Sequence, residues 1–197
     1  MLKKEIQEQR MKNYFVQGAK EILKGEGLRG ISVRNVAERA GYSYATLYNY
    51  FKDIKDLIFE CVKDFQEEGE EFVNAEVSES IHGIEKIKSI TKAYMKFFIQ
   101  YPGIFELFYV ERTINLANKQ PTIELINTFL DRLCNEEWEY SIKNKLIKRK
   151  NADEMKNKLR YVVPGILLLY LTRNYPATYK EYVDITNEQF NYIFGTK

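Results

Sequence analysis

The sequence predicts an all-α chain of about nine helices: a small N-terminal three-helix unit, residues 1–52, and a larger helical body, residues 53–197. Three observations carry this expectation. Apolar residues recur at i, i+3, i+4 and i+7 along almost the whole chain, and no stretch alternates as a half-buried strand would. Glycines and prolines fall at the breaks between these stretches, where they end or start helices. The composition, 45% hydrophobic and 14% aromatic with four prolines in 197 residues, is apolar enough to bury a core and unlike that of chains that stay disordered.

Residues 4–25 place Phe15, Ala19, Ile22 and Leu23 on one helical face, and Gly25 and Gly27 are ready terminators. Ser32 can cap a second helix carrying Val33, Val36, Ala37 and Ala40, and Gly41 can take the left-handed conformation that ends it. Ser43 can cap a short third helix. Asp53 restarts the chain, and Ile54, Leu57, Ile58, Cys61, Val62, Phe65, Phe72 and Val73 mark one face of a long fourth. Further helices are expected at 83–101, 103–116, 121–149, 152–174 and 177–194, with Pro102, Pro121 and Pro176 at junctions and Pro164 inside a helix that it should kink. No internal repeat or low-complexity linker interrupts the chain.

The formal charge of +2 divides unevenly. Residues 1–60 carry a net +3 and the remainder −1, which favours a polyanionic partner for the N-terminal end. Cys61 and Cys134 fit neither a disulfide framework nor a zinc site, and nothing resembles a signal peptide, so the cytoplasm is the expected location. The longest apolar run, residues 161–171, contains Pro164 and Gly165 and is about half the roughly 20 residues of a membrane span. It reads as a buried helix, and no membrane partner is expected. His82 is the single histidine and reads as a solvated or capping residue. With no metal-ligand set, catalytic triad, glycine-rich phosphate loop or paired catalytic carboxylates, neither an enzyme nor a bound cofactor or metal is expected.

The informative stretch is "GYSYATLYNYF", residues 41–51. With Leu47 facing the core, a step of about 100° per residue puts Ser43 and Phe51 on its side. Ala45 and Asn49 then lie opposite, flanked by Thr46 and Tyr48. This outer face offers a methyl, two hydroxyls and an amide, groups that read base edges or bind phosphate oxygens. Arg34, Lys52, Lys55, Lys3, Lys4 and Arg10 form a basic rim. The second helix, the "AGYS" turn and the third helix have the layout of a helix-turn-helix, in which Ser32 and Ser43 cap their helices and approach the DNA backbone. Tyr42 and Tyr50 read as packing residues.

The segment "ISVRNVAERAGYSYATLYNYFKDIKDL" resembles the N-terminal DNA-binding domain of the tetracycline-repressor (TetR) family of transcriptional regulators. Val36, Ala37, Ala40, Gly41, Ser43, Thr46, Leu47, Tyr48, Tyr50, Phe51 and Leu57 carry the match. The resemblance implies a nine-helix fold, a homodimer built largely from the last two helices, and an effector pocket in the body. It also places Tyr48 where a phosphate is contacted, and Tyr44, Ala45, Thr46 and Asn49 where bases and nearby phosphates are reached. Two positions depart from the pattern. The family's usual lysine at the start of the fourth helix falls on Ile54, with Lys55 one place later, so that contact shifts or passes to Lys52. Tyr44 replaces a commonly smaller or basic residue.

In the body, "FFIQYPGIFELFYVER" is dense in rings where the family keeps its ligand, and Phe98, Phe105, Tyr109 and Trp138 are the expected effector contacts. Such a lining suits an apolar or aromatic effector. Val162, Val163, Ile166, Leu167, Leu169 and Tyr170 surround one helix on more sides than a single stripe needs, which points to a partner on both sides. Val162, Val163, Ile166, Tyr170 and Phe190 are the expected dimer contacts. The expectation is therefore a dimeric, ligand-responsive DNA-binding regulator, a repressor acting on a pseudo-palindromic operator. A helical small-molecule-binding protein that does not act through DNA is the alternative.

Overall fold

The computed structural model describes residues 2–110 and 120–195. Among them are nine α-helices and no strand: α1 (Leu2–Glu26), α2 (Val33–Ala40), α3 (Tyr44–Leu47), α4 (Ile54–Glu76), α5 (Ile84–Gln100), α6 (Pro102–Phe105), α7 (Gln120–Lys143), α8 (Arg149–Arg173) and α9 (Tyr179–Phe194). A 3-10 turn, Leu28–Gly30, follows α1, and a π-helical turn, Glu106–Val110, continues α6. Of the helix expected at 103–116, the part from 111 onward lies outside the described residues. The helix expected at 121–149 stops at Lys143, because Lys145 takes a positive φ of 58° and the Leu146 amide returns to the Ser141 carbonyl at 2.9 Å. The α8 helix starts three residues earlier than expected and continues through Pro164 to Arg173.

The chain forms two compact units. The first comprises residues 1–68 and 101–127. Its core is Phe15, Leu23, Leu47, Leu57 and Phe65, all fully buried, joined by Ile104 and Phe105 of α6. Burying each such side chain contributes about 1.5–3 kcal/mol. Helices α1 and α2 cross closely at Gly18, where a Cβ would stand 3.3 Å from the Ala40 nitrogen. The start of α6 presses on α1 so tightly that a Cβ at Gly103 would run into the Leu23 carbonyl. Gly27 ends α1 with φ +66°, and a side chain there would strike the Glu106 carboxylate.

A buried cation ties α1 to α4 in this unit. The Lys20 side chain is 6% exposed, and its Nζ lies 3.0 Å from Asp64 Oδ2 and 2.7 Å from Glu68 Oε1. Lys24 Nζ adds a 2.6 Å contact to Glu68 Oε2. Burial opposes the Lys20 charge, but the hydrogen bonds to Glu68 and Asp64 outweigh it and raise the lysine above its ordinary pKa. Burial likewise opposes the Glu68 charge, and the two lysines reverse that and hold its carboxyl below the usual value.

The second unit comprises residues 69–100 and 128–197 and packs Tyr94, Phe97, Phe98, Phe129, Trp138 and Phe190 from α5, α7 and α9. Gly69, at the start of this unit on α4, is needed for close approach: a Cβ would meet the Phe129 ring at 2.9 Å. The Glu137 carboxylate of α7 accepts from the Gly83 amide at 2.7 Å and from Lys86 at 3.2 Å, and lies 3.3 Å from His82 Nδ1. Burial would push Glu137 up, and these three groups together hold it below the usual carboxylate range. His82 stacks on Tyr140 with ring centroids 5.1 Å apart. No helix of the described residues is long and apolar enough to cross a membrane.

Candidate nucleic-acid interface

The helix-turn-helix is assembled from caps, each of which fixes the direction of the next element. Ser32 holds an extended backbone (φ −148°, ψ 156°), and its Oγ accepts from the Asn35 amide at 3.1 Å, starting α2. Asn35 then donates through Nδ2 to the Gly30 carbonyl at 2.9 Å. Gly41 ends α2 in the left-handed region (φ 79°, ψ 24°), a conformation that costs a residue with a Cβ about 1 kcal/mol or more. The Tyr42 amide returns to the Ala37 carbonyl at 2.9 Å and closes the turn. Ser43 begins α3, accepting from the Thr46 amide at 3.2 Å, and its hydroxyl also meets the Thr46 hydroxyl at 2.9 Å.

The α3 segment is shorter than a helical template over 43–51 predicts. One α-turn, Tyr44–Leu47, passes into tighter turns, with the Asn49 amide bonded to the Thr46 carbonyl at 3.1 Å and the Tyr50 amide to the Leu47 carbonyl at 3.0 Å. Leu47 is fully buried and Phe51 is buried beside it. Ser43 is exposed instead of lying on Leu47's side, because a residue in the capping position stands outside the helix with its own extended dihedrals. The opposite surface is open: Tyr44 is 64% and Tyr48 54% exposed, with Ala45 and Asn49 exposed and Thr46 half-buried.

The junction to α4 is a reciprocal cap. Asp53 Oδ1 accepts from the Asp56 amide at 2.9 Å, and Asp56 Oδ2 accepts from the Lys52 amide at 3.2 Å. This fixes the backbone on which Lys52 and Lys55 stand. Lys52 is exposed, Lys55 half-buried and Arg34 exposed, and none of the three side chains has an acidic partner among the described residues. Arg39 is different: it faces Glu21 at 3.5 Å and Glu26 at 3.3 Å, so its charge is spent inside the fold. Ile54 is half-buried, as an apolar residue on the inner side of α4 should be.

Sequence reasoning did not single out Tyr14. It is 53% exposed on α1 and its ring lies 6.0 Å from that of Tyr42, which in turn packs on Phe15 at 5.6 Å. An aromatic residue one place off the apolar stripe of α1 was the available signal. Tyr50, expected to pack, sits 6.1 Å from Phe15.

The expected effector residues divide between the units. Phe105 and Tyr109 belong to the first, with centroids 5.3 Å apart, while Phe98 and Trp138 belong to the second. Phe98, Phe105 and Trp138 are fully buried and Tyr109 is half-buried. Of the expected dimer contacts, Val163 and Phe190 are buried within the second unit itself, on the faces that α8 and α9 turn to their own core. Val162, Ile166 and Tyr170 keep exposed surface, and Tyr161, Leu168 and Leu169 are more open still. No group of three or more His, Cys, Asp or Glu side chains placed to hold a metal occurs among the described residues.

Residues 15–61 match the family of bacterial regulatory proteins named tetR. No curated protein matches the sequence. Among solved structures, the chain is similar to the fatty acid degradation regulator FadR from Bacillus halodurans, with a TM-score of 0.69 at 13% identity, covering 94% of this chain and 95% of that one. The transcriptional regulator FadR from Bacillus subtilis, solved with stearoyl-CoA, gives 0.69 at 16% identity over 91% of this chain and 96% of that one. A TetR-family regulator from Marinobacter aquaeolei gives 0.65 at 16% identity over 97% of each. At these identities the likeness establishes the fold. Residues 15–61 therefore match the tetR-family helix-turn-helix domain, on a chain that shares the fold of tetR-family transcription regulators.

Proposed function

We propose that this protein is a ligand-responsive transcriptional repressor, not an enzyme, that acts in the cytoplasm as a homodimer on a pseudo-palindromic operator. The observation that carries the reading is the open, uncharged face of Tyr44, Ala45, Tyr48 and Asn49, framed by Arg34, Lys52 and Lys55, three cations with no acidic partner among the described residues. Exposed aromatic and amide groups beside unspent positive charge suit a duplex: the cations hold phosphates and the face reads base edges. In this reading Tyr48, Ser32, Ser43, Lys52 and Lys55 position the backbone, and Tyr44, Ala45, Thr46 and Asn49 reach bases. The DNA-binding domain ends near residue 52, and residues 53–197 bind effector and dimerise.

The exposed apolar residues Tyr161, Leu168 and Leu169 recur at helical spacing on α8, beside Val162, Ile166 and Tyr170, and support a dimer through the last two helices. Two heads held by that dimer meet half-sites about 34–36 Å apart or a multiple of it. The rings expected to meet an effector, Phe105 and Tyr109 in the first unit and Phe98 and Trp138 in the second, suit an apolar or aromatic group within each unit taken by itself. The similar FadR from Bacillus subtilis was solved in complex with stearoyl-CoA, whose acyl chain is apolar, and this supports the reading. Effector binding tilts α4 and shifts the population between head spacings that fit and do not fit the operator. Within the first unit, Lys20 and Lys24 link α1 to α4 and convey that tilt to the head.

Selection from random DNA duplexes at about 0.15 M salt, where nonspecific phosphate attraction is largely screened, tests the reading. Recovery of a two-half-site palindrome is the expected result. Folded protein that enriches no sequence overturns it and leaves a helical small-molecule-binding protein as the description.

A further inference from the structure

The first unit carries a stretch of helix that packing does not explain. Residues 3–10 of α1 are all exposed, and from Lys3 onward the first buried residue of the helix is Phe15. Helices in proteins are stabilised mainly by burying one face, and these turns bury none. Lys3 and Lys4 also stand in the first turn, where the positive end of the helix dipole disfavours cations, with Glu5 as the acid there.

Charge is segregated around this stretch. At about 100° per residue, Lys3, Gln7, Arg10 and Tyr14 fall within about 60° of one another, while Glu5 and Glu8 lie about 140–200° round from Lys3. On the acidic side Lys12 is spent on Glu8 at 3.4 Å. On the other side Lys3 and Arg10 have no acidic partner among the described residues. The cationic face also has a fixed relation to the turn that starts α3. Tyr14 packs its ring 6.0 Å from that of Tyr42, the residue before the Ser43 cap, and Tyr42 is braced on Phe15 at 5.6 Å. The Tyr14 side chain is thereby held at the edge of the α3 turn while more than half of the residue stays in solvent.

We infer that this face of α1 is a backbone clamp on the operator, in which Lys3 and Arg10 each neutralise a phosphate flanking the half-site and the Tyr14 hydroxyl donates to another beside α3. The clamp presupposes the operator reading above and adds to it a second, sequence-independent contact. Lys3 and Tyr14 are about 16 Å apart along the helix, enough to meet several phosphates of a strand on which one recurs about every 3.4 Å of duplex axis. Because Glu5 and Glu8 are turned away, the face opposes no negative charge to the duplex. Contacts of this kind carry no base information, so the clamp strengthens binding and fixes how α3 enters the groove without changing what it reads.

The test measures affinity of the full chain for the duplex recovered by selection, as a function of salt. Four proteins are compared: the parent, the Lys3→Gln/Arg10→Gln double variant, Tyr14→Phe, and the Lys4→Gln/Lys12→Gln double variant, which removes the same charge from off the face. Lys3→Gln/Arg10→Gln should weaken binding about tenfold or more and reduce the slope of log affinity against log salt by about 2 for each head engaged. Tyr14→Phe keeps the ring on Tyr42 and removes only the oxygen, so it should weaken binding about fivefold and leave the slope unchanged. Lys4→Gln/Lys12→Gln should leave affinity and slope near those of the parent. Selection repeated with Lys3→Gln/Arg10→Gln should recover the parent's operator. A parent that recovers an operator while its slope is unchanged in Lys3→Gln/Arg10→Gln, or falls equally in Lys4→Gln/Lys12→Gln, overturns the clamp and leaves the operator reading standing. Folded parent that recovers no operator overturns both.

Discussion

The helix-turn-helix face and the α5–α9–α7 core of the second unit use aromatic residues in opposite ways. In the head, Tyr44 and Tyr48 stand in solvent on an α3 segment whose only buried member is Leu47. In the second unit, Tyr94, Phe97, Phe98, Phe129 and Trp138 are sealed from water, Tyr94 packing edge-on against Phe98 at 4.9 Å and Phe129 at 5.4 Å. Rings sealed in a core are accounted for by packing before any ligand is invoked. Rings held outward on a capped turn, beside cations with no acidic partner among the described residues, are those for which a duplex is proposed above.

That contrast can be broken by mutation. The largest effect is expected for Phe15→Ala and Trp138→Ala, each removing a fully buried ring and each costing about 3–5 kcal/mol in denaturant unfolding. Tyr48→Ala should lie at the other extreme for folding, changing stability by less than about 0.5 kcal/mol. It should weaken binding to all duplexes, whereas Asn49→Ala should relax base preference at one position by about 1–3 kcal/mol. A Tyr48→Ala protein that binds duplex like the parent would show that the exposed ring has no such partner.

A smaller effect tests the turn. Ser43→Ala removes the acceptor for the Thr46 amide and should cost about 1 kcal/mol in thermal or denaturant unfolding. Smaller again is the acid response of the first unit. Because Glu68 is held below its ordinary value of 4.5, it stabilises the fold above about pH 4.5, and that contribution is lost as pH falls below it. Glu68→Gln should therefore show a shallower drop in Tm than the parent as pH is lowered through and below 4.5. An unchanged acid limb would mean that Lys20 and Lys24 do not distinguish the charged from the neutral carboxyl.

What was legible in the sequence was local. Ser32, Gly41 and Ser43 act through atoms one to four residues away, and the structure has each of them capping as the pattern of residue types indicates. Leu47 and the apolar stripe of α1 follow from period alone. What was not legible depends on contacts distant along the chain. Val163 and Phe190 carry the same apolar signal as Val162, yet only the packing of α8 and α9 in the second unit decides which of them are buried. Side-chain periodicity also has no symbol for the π-helical turn at Glu106–Val110 or for the positive φ of Lys145 just past the end of α7 at Lys143.

Lys20 constrains how this chain can change over generations. Because its ammonium is enclosed, removing both acids strands the lysine over the Phe65 ring, whereas deleting the lysine leaves Asp64 alone and Glu68 still paired with Lys24. A fully apolar replacement of the three could be as stable as the present arrangement, yet a route that removes both acids before the lysine passes through an unmatched buried charge. The order of change at positions 20, 64 and 68 is thus constrained, with the lysine going before the second of the two acids.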